Sequence, residues 1–197
     1  MQNTRNAAVL AGLLLAMTAC KHYDETLSND LVAAAADKDV EKTRGLLARN
    51  ANPNAVDAEG APLLMTVLQR MKISFQELSS GVIGDGAQTS ETEQIVKLLL
   101  DAGANPNGRN KEGNPVLLAA LARQDPAIVE DLIRAGASVR ETSSSGWPMI
   151  VHAAYAGNQK IVQLLLDSGA NVNETGKDGA TALLAATNKH HAELRAC

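Results

Sequence analysis

Apolar and polar positions along the chain fall into blocks that repeat. Residues 161–173 read IVQLLLDSGANVN, residues 95–107 read IVKLLLDAGANPN and residues 128–140 read IVEDLIRAGASVR, with a weaker copy, KTRGLLARNANPN, at 42–54. Asn107, Arg140 and Asn173 are spaced by 33, while Asn54 precedes Asn107 by 53, one period plus 20 inserted residues. Six residues after each comes a glycine: Gly60, Gly113, Gly146 and Gly179. A second apolar column, Leu31, Leu64, Leu117, Ile150 and Leu183, lies eleven residues before the start of each block, once the insertion is allowed for at Leu64. Self-similarity at a fixed period predicts stacked supersecondary units, here helix-turn-helix.

The pattern places the elements. The first inner helix spans 28–36, capped by Ser28 or Asn29, and its outer helix runs near 40–49. Pro62 opens the second inner helix. Leu64, Leu68, Met71, Phe75 and Leu78 step by four and three and so share one face, which extends that helix to about Leu78. A glycine-rich loop, 81–86, follows, and Ser90-Glu91-Thr92-Glu93 has the form of a capping box restarting the outer helix. The third unit spans about 113–137, with Asp125-Pro126 as the start of its outer helix. The fourth runs from 146 to 170. The fifth begins at Gly179 and ends only a few residues into its outer helix, so Leu183 and Leu184 are expected to have incomplete cover.

GWPMIVHAA (146–154), GNPVLLAAL (113–121) and GATALLAAT (179–187) resemble the ankyrin repeat, whose period and T-P-L-H-x-A signature they match in weakened form. Pro62, Pro115 and Pro148 occupy the threonine position, and a fixed φ suits proline to the first helical turn. The resemblance implies an all-α ankyrin-repeat solenoid. It would have five units with short hairpin or loop tips over 27–197 and an insertion at about 72–89.

The amino-terminal residues carry a different pattern. Residues 1–19 have a positive start at Arg5 and a short apolar run, AAVLAGLLLA, as a targeting signal does. The run ends at Met17-Thr18-Ala19-Cys20, which looks like a bacterial lipobox. That resemblance implies that Cys20 is lipidated and that 20–26 is a short tether. Lys21 in place of aspartate implies the outer membrane, with the protein facing the periplasm. The alternative is an ordinary secretory signal cut near Ala19 and a soluble periplasmic protein. Cys20 and Cys197 are the two cysteines, so lipidation of Cys20 leaves no internal disulfide.

Composition narrows the function. Net charge is −4 and no basic stripe is present, which argues against nucleic acid. Aromatic residues make up 2% of the chain, consistent with thin helix pairs packed through Ala and Leu. The sequence contains no G-x-S-x-G, H-E-x-x-H or C-x-x-C. His190 and His191 are adjacent and make a poor chelate on a helix. The expectation is therefore a non-enzymatic monomer, without metal or cofactor, that binds another protein. A narrower alternative is an inhibitor or immunity-type protein blocking a periplasmic enzyme or toxin. The candidate contact residues are Asp57 and Glu59; Arg109, Lys111 and Glu112; Lys177 and Asp178 at the tips; and Trp147, His152 and Tyr155. Trp147 and Tyr155 lie off the packing columns, and such residues often dominate interfaces. They are expected at the centre of the contact, flanked by Arg109 and Lys111.

Overall fold

The computed structural model describes residues 23–69 and 86–187. In chain order the helices are α1 (Glu25–Ala36), α2 (Val40–Ala48), α3 (Leu63–Gln69), α4 (Gly86–Asp101), α5 (Val116–Arg123), α6 (Pro126–Arg134), α7 (Met149–Ala156) and α8 (Gln159–Asp167). Residues 182–187 form a further helix, α9. The odd-numbered helices α1 to α7 pack side by side in an inner layer and the even-numbered ones in an outer layer, each inner helix resting on the outer helix that follows it. This is the stacked helix-turn-helix architecture that the period predicts.

The core lies between the layers and consists of the repeated columns. Leu31, Leu64, Leu117 and Ile150 are buried from the inner side, and Ile95, Ile128 and Ile161 with Leu99, Leu132 and Leu165 from the outer side. Each Ile–Leu pair is four residues apart and so lies on one helix face. Leu117 is 1% exposed and its counterpart Leu183 is 76% exposed, which agrees with incomplete cover at the fifth unit.

Helix ends follow from local hydrogen bonding. Asp39, Asp125 and Asn158 cap α2, α6 and α8 through their side chains, and Pro126 is the first residue of α6, as its sequence predicts. Each outer helix closes through a left-handed residue, Asn50, Gly103, Gly136 or Gly169. The next N–H then reaches back five residues, as from Ala104 to Leu99 at 2.9 Å and from Ala137 to Leu132 at 2.9 Å.

Three expected ends are corrected. α1 starts at Glu25, within the segment read as a tether, because the Asp24 carboxylate accepts from the N–H groups of Thr26 and Leu27. Ser28 is inside that helix and accepts from Asn52 N–H at 3.0 Å. Ser90 lies within α4 rather than before it, and Glu93 pairs with Lys97 one turn on instead of closing a capping box. Pro115 and Pro148 are the residues before α5 and α7, with extended backbone, and not the first helical ones. Pro62, Pro115 and Pro148 each bridge back across the hairpin, to Val56, Arg109 and Thr142. The bonds on either side come from neighbours, as Asp57 N to Ala61 O (3.0 Å) and Leu63 N to Ala55 O (2.9 Å) show. Proline therefore occupies a pair from which no N–H is required. The expected extension of the second inner helix to Leu78 and the loop at 81–85 lie outside the described residues.

Side chains of one column join successive units. Asn54 donates from Nδ2 to Gly103 O at 3.1 Å and accepts from Asn105 N. Asn107 does the same with Gly136 O (2.9 Å) and Ser138 N (2.8 Å). Arg140 donates from Nε to Gly169 O at 3.1 Å. Each clamp satisfies the turn that ends the next outer helix.

Candidate partner-binding face

The hairpins and the inner-helix surface beside them carry most of the expected contact residues. The structure divides these into two groups. Asp57, Glu59, Lys111 and Glu112 surround a depression of about 700 Å³ between the second and third hairpins. Trp147, His152, Tyr155, Lys177 and Asp178 belong to the fourth and fifth units.

In the second group the aromatic rings touch. The Trp147 ring lies 5.5 Å from that of His152 and 6.2 Å from that of Tyr155, the latter edge-on at 74°. Edge-to-face geometry directs the positive rim of one ring at the negative face of the other. Tyr155 is 53% exposed. Trp147 is only partly exposed and packs against the core. Its Nε1 donates to Asp178 Oδ2 at 3.0 Å. It also covers Gly176, where an added Cβ would come within 2.9 Å of Trp147 Cδ1. Lys177 reaches the opposite way, its stem lying over Gly146 as that of Lys111 lies over Gly60. Neighbouring hairpins thus clasp one another through long side chains laid over glycine.

Several polar candidates also serve the scaffold. Asp57 accepts from Ala61 N–H and from Thr66 Oγ1, both at 2.8 Å. His152 takes the place of Thr66 two units later, sharing a 3.0 Å hydrogen bond between Nε2 and Ser143 Oγ. Both bonds tie an inner helix to its own hairpin. Burial lowers the His152 pKa, because the charged imidazolium loses solvation. Arg109 donates to Gly113 O and pairs with Glu141 at 3.1 Å, leaning toward the fourth unit. Lys111 leans back on the second. The two therefore diverge, and Lys111 does not flank Trp147 as expected. Among the described residues no group of His, Cys, Asp and Glu is arranged to hold a metal ion.

One residue went unnoticed in the sequence. Arg123, in the last turn of α5, donates from Nη1 to Leu68 O of the previous inner helix at 3.2 Å, and its Nε is buried without a hydrogen-bond partner. A basic residue in a last helical turn reads as a partner of the helix dipole, and nothing local marks this one as facing a groove.

Comparison with known families accords with this geometry. A family model described as ankyrin repeats (three copies) matches residues 86–175 and 116–195, together more than half of the chain. The chain belongs to the ankyrin-repeat family. Comparison with curated proteins gives no match. The matched residues begin at α4, yet the bridge from Val56 to Pro62 and the Asn54 clamp give the second unit the same ankyrin geometry. Ankyrin units act as protein-interaction modules, and their stacking creates an extended surface for that purpose.

Proposed function

We propose that this chain is a non-enzymatic protein-binding module held by a lipid on Cys20 at the outer membrane and facing the periplasm, with Tyr155 and Trp147 central to its interface. The exposed Tyr155 ring, braced edge-on by Trp147, carries the reading. A large aromatic held in place before binding loses little conformational freedom when a partner covers it. The lipid anchor rests on the Met17-Thr18-Ala19-Cys20 stretch. Among the described residues no helix is long and apolar enough to cross a membrane.

The test uses full-length protein solubilised from membranes and cross-linked to its neighbours. Wild type should retain a partner that Tyr155→Ala releases at equal expression and equal melting temperature. A partner retained equally by both proteins would move the interface elsewhere.

A further inference from the structure

The inner-helix surface changes abruptly between the third and fourth units. In the 33-residue register, Asn114, Ala119 and Ala122 correspond to Trp147, His152 and Tyr155. Helices α5 and α7 are neighbours in the inner layer, so small side chains on one stand beside aromatic ones on the other. On the other side of α5, toward α3, runs a trench of about 360 Å³ lined by residues that include Met65, Leu68, Leu118, Ala119, Ala122 and Arg123.

Its charge is what gives the trench a preference. Arg123 is half-buried, makes one hydrogen bond to Leu68 O and leaves a buried Nε without a partner. Among the described residues no carboxylate lies close enough to form an ion pair with it, and the charge of Asp125, two residues on, only partly offsets its burial. A guanidinium carries five N–H donors and accepts none, so most of its hydrogen-bonding capacity remains open. Carboxylates match its planar fork, and partial removal from water strengthens that pairing.

We propose that this trench takes an extended peptide segment of a partner protein, one carboxylate of which pairs with Arg123 while an adjacent apolar side chain lies over Ala119 and Ala122 beside Tyr155. The assignment rests on the protein-binding reading and adds the chemistry of the ligand. Met65, Leu68, Leu118 and Ala119 give the trench an apolar middle, with Glu112 at its hairpin end and Arg123 at the other, and a segment combining one acidic group with one apolar group complements the middle and the Arg123 end. An uncharged segment would leave the partly desolvated guanidinium unpaired, which selects against it.

The experiment pans a random library of short displayed peptides on the full-length protein. One arm has blocked C-termini and the other has free ones, which separates a side-chain carboxylate from a terminal one. Enriched peptides should carry a carboxylate next to a large apolar residue. Exchanging that carboxylate for its amide should weaken binding by roughly tenfold, as expected for breaking a charge-assisted pair. Arg123→Gln should lose the same factor and bind acid and amide alike. Arg123→Lys, which keeps the charge, should retain a preference for the acid, and melting temperatures of both variants separate lost binding from lost folding. Enriched peptides that show no acid preference yet are released by Tyr155→Ala overturn the trench assignment and leave the wider reading standing. A library that yields no enrichment overturns it as well. So does a wild-type dimer that becomes monomeric in Arg123→Gln, because the trench would then belong to a second copy of this chain.

Discussion

The indole N–H of Trp147 donates to the carboxylate of Asp178 on the next hairpin, 3.0 Å away. That bond and the cover over Gly176 make Trp147 a strut between the fourth and fifth units. Its spacing in the sequence points to a free tip aromatic, but its place in the stack ties it to the core. Among the described residues Tyr155 has no such tie beyond the edge of the Trp147 ring. The two aromatic residues of the proposed interface therefore differ in what their loss removes.

Trp147→Ala is expected to lower stability by about 2 kcal/mol, combining lost apolar contact with a lost hydrogen bond to a charged group. Tyr155→Ala should stay within about 0.5 kcal/mol of wild type, as a change at an exposed position does. Urea midpoints measured side by side decide this. A Trp147→Ala midpoint equal to that of wild type would return Trp147 to the free surface.

Asn107→Ala removes the donor to Gly136 O and the acceptor for Ser138 N at once. A loss of about 1–2 kcal/mol is expected from two exposed hydrogen bonds. Repeat stability is a sum of unit and nearest-neighbour contributions, so this loss should fall on the junction of the third and fourth units. Hydrogen exchange should accelerate first around Gly136 and Ala137. Uniform acceleration across the chain would show that the clamp does not act locally.

His152 sets a pH dependence whose sign is determined. Burial holds its pKa below the ordinary 6.5. Between that value and the lower folded one, the unfolded chain binds a proton that the folded chain refuses, so stability rises with pH. The contribution is fully present above about pH 6.5 and is lost as pH falls toward the folded pKa. His152→Gln should flatten the fall in stability that sets in as pH drops below about 6.5. Parallel curves for the two proteins would mean that the imidazole titrates normally.

Cys20→Ser is expected to abolish incorporation of labelled palmitate and to leave the protein unprocessed or mislocalised. The motivation is the apolar run ending in Met17-Thr18-Ala19-Cys20. Acyl chains supply membrane affinity of about 0.8 kcal/mol per buried CH₂, so losing them should also shift the protein out of the membrane fraction. Equal labelling of both proteins, or labelling of neither, would discard the anchor.

The period, the apolar columns and the family were legible from the residues alone. Leu64, Leu117 and Ile150, or Leu99, Leu132 and Leu165, are buried wherever the ruler places them. Burial depends on which side chains are apolar and on helical spacing, and both are written locally. The aromatic group formed by α7 and the hairpin before it was legible in the same way, because Trp147, His152 and Tyr155 are close in sequence.

The tertiary structure alone decided what the polar residues do. Asn54, Asn107, Arg109, Arg123 and Trp147 each find a partner in a neighbouring unit, as Asn107 does at Gly136 and Arg123 at Leu68. Pro115 and Pro148 stop short of their helices for the same reason, because each is held extended by a bridge across its hairpin. The periodic apolar columns determine that the units stack. Which donor meets which carbonyl depends on how far and at what angle one unit is displaced from the next, a distance no local stretch of chain encodes.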